Sequence, residues 1–332
     1  MNPTCHIFYR KPGRQDIQHI QGNGIPLDLK QAQNHFVIAP FLYPNEKGIM
    51  VDMASKKTLG LYELSQGGQA DFCIVPAQDV SLPDYRQLVS SGIQAIHEKR
   101  FSKVVLSRKK IVPFSTDKTL PFFLRLCEKY PNAFVHLISF PEFGTWMGAS
   151  PELLLEAGEG KAKTVSLAGT QQSNSQEDWG EKEKEEQDIV TRFISSEIEE
   201  LAEDIQISSL STAQIGPVSH IKKEITFIPK VELNRIVDAL HPTPAVCGMP
   251  KKEARAFILQ NEGYERSLYA GFIGEWTEQA TALFVNLRCM QVFEKEAHLY
   301  LGAGITQDSE PESEFVETEN KSKVLLSVLG LE

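Results

Sequence analysis

The chain has 332 residues, 41% of them hydrophobic and 23% charged, enough to bury a substantial core as one large domain or two small ones. A net charge of −10 argues against nucleic acid as the main partner, since phosphate binding needs a basic face; a few local cations or a metal still allow a small anionic substrate. Five cysteines (Cys5, Cys73, Cys127, Cys247, Cys289) without a C-x-x-C pair suggest a reducing compartment and no zinc site, and no apolar signal core or membrane-length run is present, so the expectation is a cytoplasmic protein.

In chain order, residues 1–80 hold short apolar strings broken by Gly and Pro, "HFVIAPFLYP", "GIMVDMA" and "DFCIVPA", which predict strands and turns. "LPDYRQLVSSGIQAIHEKRFSK" carries Leu88, Ile93 and Ile96 at helical spacing and runs into a strand, "KVVLSRKKIV". A helix over 119–130 precedes the strand-like "AFVHLISF", "TWMGASPELLLEAG" and "AKTVSLAGT". The acid-rich "DWGEKEKEEQDIVTRFISSEIEELAEDI" reads as one helix. The last third alternates strands ("ITFIPKVEL", "SLYAGFIGEW", "ATALFVNLRCMQVF", "HLYLGAGIT") with the helices "KKEARAFILQNE" and 310–329. Long strands in antiparallel-looking succession, with helices between them, predict an α+β fold rather than a regular βαβ one. "GAG" at 302–304 lacks the third glycine of a dinucleotide loop and reads as a tight turn bringing backbone close to a ligand.

The stretch "GAGITQDSEPESEFVETENKSK" crowds six acids, Asp308, Glu310, Glu312, Glu314, Glu317 and Glu319, into twelve residues. Ser309 and Glu312 read as a capping box, with Pro311 in the first turn and first-turn acids suiting the helix dipole. Glu314, Glu317 and Lys321 share a deeper face, close to the side on which Val324, Leu325 and Val328 pack. The acid-rich helix adds a second E-x-x-E, Glu183 and Glu186, with Val190 and Ile194 following at helical spacing. Each segment alone also reads as a solvated, salt-bridged face. Facing each other, the two helices would offer four carboxylates to a hard divalent ion such as Mg²⁺, which takes oxygen ligands and keeps waters or substrate oxygens in its shell. An EF-hand reading fails, because "DSEPESEFVETE" lacks that loop's central Gly.

Three further residues stand out. Lys103 opens a strand with Val105 and Ser107 on its own face, where an edge lysine in water is the plain alternative. Glu152, in "GASPELLL", follows a Pro and starts an apolar strand, where a carboxylate is out of place unless paired or functional. "LHPTPAVCGMP" is a rigid loop that fixes His241, as a structural loop or as a ligand wall.

"KVVLSR" (103–108), "GASPELLL" (148–155), "LAGTQ" (167–171), "KEKEEQDIV" (182–190), "LHPTPAVCG" (240–248), "ERSLYAGFIG" (265–274), "LRC" (287–289) and "GAGITQDSEPESEFVETENK" (302–321) occur in this order over about two thirds of the chain. Together they resemble the motifs of the chorismate-utilising enzymes, and within them the isochorismate synthase branch. The resemblance implies a single α+β domain over 1–332, two large antiparallel sheets in a sandwich flanked by helices, with the active site between the sheets. Residues 1–82 would be a variable, shortened N-terminal part without a matching motif, and 83–332 the catalytic core. It further implies one Mg²⁺ on Glu186 and Glu317, with Glu183 and Glu314 alongside, the ion holding the ring carboxylate of chorismate. Arg288 and Lys321 would bind a substrate carboxylate, helped by Tyr269 and the backbone of Gly302, Ala303 and Gly304. Gly169, Thr170 and His241 would wall the ring. Where the family usually reads Lys-Asp-Arg, two residues, then His, this chain has Glu183 for Asp and Gln187 for His, a change that still leaves a carboxylate.

Isomerising chorismate to isochorismate moves a hydroxyl from C4 to C2, so one group must take a proton from water and another must give one to the departing oxygen. The resemblance assigns these roles to Lys103 as base and Glu152 as acid, and burial favours the neutral state each role needs. Relatives that add ammonia usually carry Gln in place of Lys103, and aminodeoxychorismate synthases a nucleophilic lysine in place of Ala168; both features point to water, and to no glutamine amidotransferase subunit. Salicylate synthases, which go on to eliminate pyruvate, are the alternative within the family. An acidic divalent-ion-binding interaction protein is the non-enzyme alternative, and it leaves Lys103, Glu152 and "HPTPAVCG" unused. A monomer is expected. Menaquinone and siderophore pathways both begin with isochorismate, and the residues leave that choice open.

Overall fold

"FVHLISF" is apolar at nearly every position, and the strand it forms is buried at all seven residues because both of its faces are covered. The computed structural model describes residues 5–60, 63–64, 71–77, 82–172, 179–215 and 218–331, without the side chains of Ala168, Thr170, Gln171, Gln172, Lys182, Glu186, Gln214, Ile215 and Val218. The first part contributes β1 (Cys5–Arg10), β2 (Ile17–Gly22), β3 (Ile25–Pro26), β4 (His35–Ala39), β5 (Ile49–Asp52) and β6 (Lys57–Leu59). Then come α1 (Tyr85–His97), β7 (Lys103–Pro113), α2 (Thr119–Lys129), β8 (Phe134–Phe140), β9 (Gly144–Ser150), β10 (Leu153–Gly158), β11 (Lys161–Gln172) and α3 (Glu181–Ile198). The remainder is β12 (Ala202–Ile207), β13 (Ser211–Ile215), β14 (Val218–Pro229), α4 (Leu233–Leu240), β15 (Gly248–Met249), α5 (Lys251–Asn261), β16 (Phe272–Trp276), β17 (Thr281–Val285), β18 (Cys289–Val292), β19 (Glu296–Ile305) and α6 (Pro311–Leu329).

Among the described residues these strands form two antiparallel sheets, ordered β15-β7-β19-β18-β9-β8-β1-β2-β6 and β12-β14-β11-β10-β17-β16-β4-β5-β3, with β13 beside β14. The α+β sandwich expected from the sequence is the fold observed. Residues 5–59 are built into it, extending the first sheet beyond β8 and the second beyond β16. Between the sheets lies an apolar core that includes Tyr9, Phe36, Phe134, Ile138, Trp146 and Phe284. On the outer face of the first sheet a second core packs Phe122, Phe123 and Leu126 of α2 and Val324, Leu325 and Val328 of α6 on Val135, Leu137 and Leu299. A buried carboxylate also joins the sheets: Glu275 of β16 accepts from Tyr9 Oη of β1 and pairs with Lys11 and, at 3.1 Å, Lys56.

Two chain segments cross from one sheet to the other side by side. Pro151 and Glu152 link β9 to β10, and Asn286 to Arg288 link β17 to β18. The Val285 amide donates to the Glu152 carbonyl at 2.9 Å and the Ala149 amide to the Arg288 carbonyl at 3.2 Å. This doubled crossover brings the carboxyl of Glu152 within electrostatic reach of the Arg288 guanidinium.

Four local expectations are corrected. Residues 71–77 form no strand; Cys73 bonds instead to side chains, its amide donating to Ser139 Oγ at 2.7 Å and its carbonyl accepting from Thr145 Oγ1 at 2.8 Å. The acid-rich helix stops at Ile198, because Ala202–Ile207 pairs as a strand with β14 and tertiary pairing overrides helix propensity. "GAG" is no turn but the interior of β19, paired with Ser107, Leu106 and Val105 of β7. The capping box does not form: Glu310 is the N-cap without a side-chain bond, Pro311 opens α6, and Glu312 pairs with Arg86 at 3.0 Å and closer. No helix among the described residues is long and apolar enough to cross a membrane.

Candidate active site

Beside the doubled crossover a cavity of about 810 Å³ opens between the sheets, a size suited to a small-molecule ligand. Lys103, the first residue of β7, lines it and is only 6% exposed. β15 pairs against it, and a Cβ on Gly248 (φ +134°) would lie 2.3 Å from the Lys103 carbonyl, so only glycine lets that loop close here. The same region is held from behind by Arg266, which donates to the carbonyls of Val105 (2.7 Å) and Val246 (2.8 Å) while pairing with buried Glu262.

Glu152 lines the same cavity, 5% exposed, with Thr243 Oγ1 donating to it at 3.4 Å. Burial pushes its carboxyl up to about 7; the Thr243 hydroxyl and the charges of Arg288, Lys103 and Lys321 pull the other way without cancelling that effect. A carboxyl in this state is still partly protonated near neutrality. Arg288 sits in the left-handed backbone region (φ 49°), a strained conformation for a residue with a side chain. Burial lowers its guanidinium from the usual range, against the pull of Tyr269, Glu317 and Glu152.

Gly302 and Gly304 present bare backbone to the cavity, whereas Ala303 points to the opposite face of β19 and into the core. Glycine at 302 has a specific cause: a Cβ there would lie 2.6 Å from Tyr269 Oη. Tyr269 stacks on Tyr300 with centroids 5.4 Å apart, and Tyr300 on Trp146 at 4.9 Å. Lys321 donates to the Gly302 carbonyl at 2.9 Å and pairs with Glu317 at 2.5 Å, joining α6 to β19. Burial would raise the Glu317 carboxyl, but Lys321, Arg288 and Lys103 outweigh it and hold the group below its ordinary value, so it is ionised. Glu314 accepts from Ser309 Oγ at 2.7 Å, which explains why Ser309 does not cap the helix.

On the opposite wall Gly169 and Glu183 line the cavity. Buried Gln187 docks α3 on β11 by donating to Ser166 O (2.9 Å) and Ser166 Oγ (2.7 Å), a structural task for the residue that replaces histidine in the family pattern. The side chains of Thr170 and Glu186 lie outside the described residues. His241 is not brought to the cavity wall: it is buried, with Nε2 3.2 Å from the Phe41 carbonyl and its ring edge-on to Phe272. The apolar side chains of Leu167, Ala245 and Leu287 line the cavity instead. One residue not singled out in the sequence, His220 of β14, also lines the cavity, in contact with Arg288 and Gly169. Its only sequence signal is an imidazole in the strand "VSHIKKE".

The carboxylates suit a hard cation. Glu183 of α3 and Glu314 and Glu317 of α6 share the cavity, all oxygen donors. Among the described residues no three His, Cys, Asp or Glu are gathered tightly enough to form a complete metal shell. This donor set fits an ion that completes its shell with water and substrate oxygens rather than an all-protein cage.

The fold and the site together are an antiparallel sandwich with a carboxylate-lined, lysine-bearing cavity between its sheets. The chain belongs to the chorismate binding enzyme family, which it matches over residues 33–330. It is 30% identical over 278 residues to the isochorismate synthase MenF of Bacillus subtilis, across 77% of this chain and 58% of that protein. It is 29% identical over 273 residues to the isochorismate synthase DhbC of the same organism, across 75% of this chain and 68% of that protein. The chain thus spans less than two thirds of the length of that MenF. The structure of the menaquinone-specific isochorismate synthase MenF of Escherichia coli has the same fold, with a TM-score of 0.83 over 99% of this chain and 89% of that one at 20% identity.

Proposed function

We propose that the protein is a Mg²⁺-dependent isochorismate synthase, an isomerase that adds water at C2 of chorismate and expels the C4 hydroxyl. The observation that carries this reading is Glu152, whose carboxyl is raised to about 7 in the cavity that also holds Lys103. As the water oxygen bonds to C2, Lys103 takes its proton; the ring double bonds shift, the C4–O bond breaks, and Glu152 gives its proton to the departing hydroxyl, which leaves as water. Arg288, Lys321 and the backbone of Gly302 and Gly304 hold substrate carboxylate, and Tyr269 keeps that backbone at its distance. Glu183, Glu314 and Glu317, together with Glu186, would hold Mg²⁺, which when bound supplies positive charge to the ring carboxylate. With water as nucleophile no ammonia source is required, so no amidotransferase subunit is needed; that the enzyme is a cytoplasmic monomer is a separate part of the proposal.

The metal half of the proposal is tested by chorismate turnover with added Mg²⁺ and with excess chelator. Turnover should vanish in chelator and return when Mg²⁺ is restored, and Glu317→Ala should nearly abolish it while leaving the fold intact. Full turnover in chelator would remove Mg²⁺ from the account.

A further inference from the structure

His220 contacts two elements of the cavity wall. Its Nε2 lies 3.4 Å from Nη2 of Arg288, and its Nδ1 lies 2.9 Å from the Gly169 carbonyl. A guanidinium has only donors, so Nε2 must be the acceptor. The ring proton of a neutral imidazole then sits on Nδ1 and is donated to Gly169. The two contacts select the same tautomer.

The Gly169 carbonyl is available because β11 bulges there. Pairing with β14 shifts register between Ala168 and Gln171, and Gly169 has φ +63°. His220, on the partner strand of the bulge, accounts for that carbonyl and turns its other nitrogen to Arg288. Among the described residues it is the side chain that hydrogen-bonds to Arg288, and Arg288 Nε is buried without a partner. A carboxylate at this position would orient the guanidinium but also neutralise it. A neutral imidazole orients it and leaves its full charge for an anion.

We infer that His220 is a positioning residue that orients Arg288 toward the substrate carboxylate and couples it to the Gly169 bulge. This deepens the isochorismate synthase reading and rests on it. Two substitutions separate the coupling from a merely structural bond. Asparagine at 220 can keep the bond to Gly169 but is too short for Arg288, whereas glutamine can reach Arg288 with its amide oxygen.

The experiment is steady-state kinetics with chorismate on wild type, His220→Asn and His220→Gln, with thermal melts of all three. His220→Asn should raise KM about five- to tenfold, the scale of one lost hydrogen bond, with a smaller change in kcat and a melt close to wild type. His220→Gln should restore most of the lost KM. An unchanged KM in His220→Asn, or no recovery in His220→Gln, would overturn the inference. Long-range ¹⁵N–¹H spectra of the imidazoles read the tautomer without turnover: Nδ1–H is expected for His220, and Nε2–H would overturn the inference. An inactive wild type carrying the Nδ1–H tautomer would count against the isochorismate synthase reading, and an active wild type with the Nε2–H tautomer against the role of His220 alone.

Discussion

Glu152 and Arg288 lie on adjacent crossovers between the two sheets, joined through the Val285 amide to the Glu152 carbonyl at 2.9 Å and the Ala149 amide to the Arg288 carbonyl at 3.2 Å. Backbone bonds at both places tie the two crossover segments to each other. The backbone positions of the proposed acid and of the arginine proposed to bind carboxylate are therefore set together.

The elevated carboxyl of Glu152 makes a pH prediction. Burial raises it from an ordinary 4.5 to about 7, so kcat/KM should fall about tenfold per unit as pH rises past about 7 and the proton is lost. The sign for stability follows from proton binding: between about 4.5 and 7 the folded state keeps a proton that the unfolded chain releases, so stability falls across that window. Glu152→Gln should lose activity yet melt at a higher temperature than wild type at pH 8. A lower melt for the variant at that pH would contradict the burial argument.

Lys103 and Glu152 should act as a pair. Lys103→Ala and Glu152→Gln should each lower kcat by about 10² to 10⁴, with substrate binding affected less because Arg288 and Lys321 remain. Because both groups serve one coupled event, the double variant should be far less impaired than the product of the two. Wild-type turnover in Lys103→Ala would refute the assignment of the base.

Gly302→Ala places a methyl 2.6 Å from Tyr269 Oη, closer than side chains tolerate. Overpacking of this kind is worth about 1 to 3 kcal/mol, and here it would push Tyr269 into the space proposed for substrate. Calorimetry should show a modest loss of stability and kinetics a raised KM. Tyr269→Phe in the same background should recover part of both; no recovery would mean that the clash lies elsewhere.

Glu275 tests the join between the sheets, away from the cavity. Burial raises its carboxyl, but Lys11, Tyr9 and Lys56 outweigh that and hold it below its ordinary value. The folded value is the lower one, so this contribution is present above the ordinary carboxylate value and is lost as pH falls below it and through the lower folded value. Glu275→Gln leaves two lysines and a buried hydroxyl without their carboxylate and should cost about 3 kcal/mol near neutral pH. The difference from wild type should shrink in acid; equal stability at neutral pH would dismiss the join.

Much of the site was legible because short strings carry it. "GASPELLL" and "LRC" mark the two crossovers, and the E-x-x-E helices bring Glu183, Glu314 and Glu317 to one cavity. What was not legible depends on contacts between distant strands. His220 has no neighbour in the sequence that signals its role, since Arg288 and Gly169 meet it only in space. "GAG" resembled a turn because glycine signals turns, whereas here it makes room for a tyrosine that arrives from another segment. Ser309 carried a capping signature but was recruited by Glu314, and His241 was drawn into the core by Phe41 and Phe272.

The most direct test of the central claim is the product formed from chorismate with Mg²⁺, followed by proton NMR alongside a coupled assay for pyruvate. The account predicts isochorismate approaching equilibrium with chorismate, no stoichiometric pyruvate, and loss of the reaction in Lys103→Ala. Pyruvate released one-for-one with salicylate, or no change in chorismate at all, would contradict it.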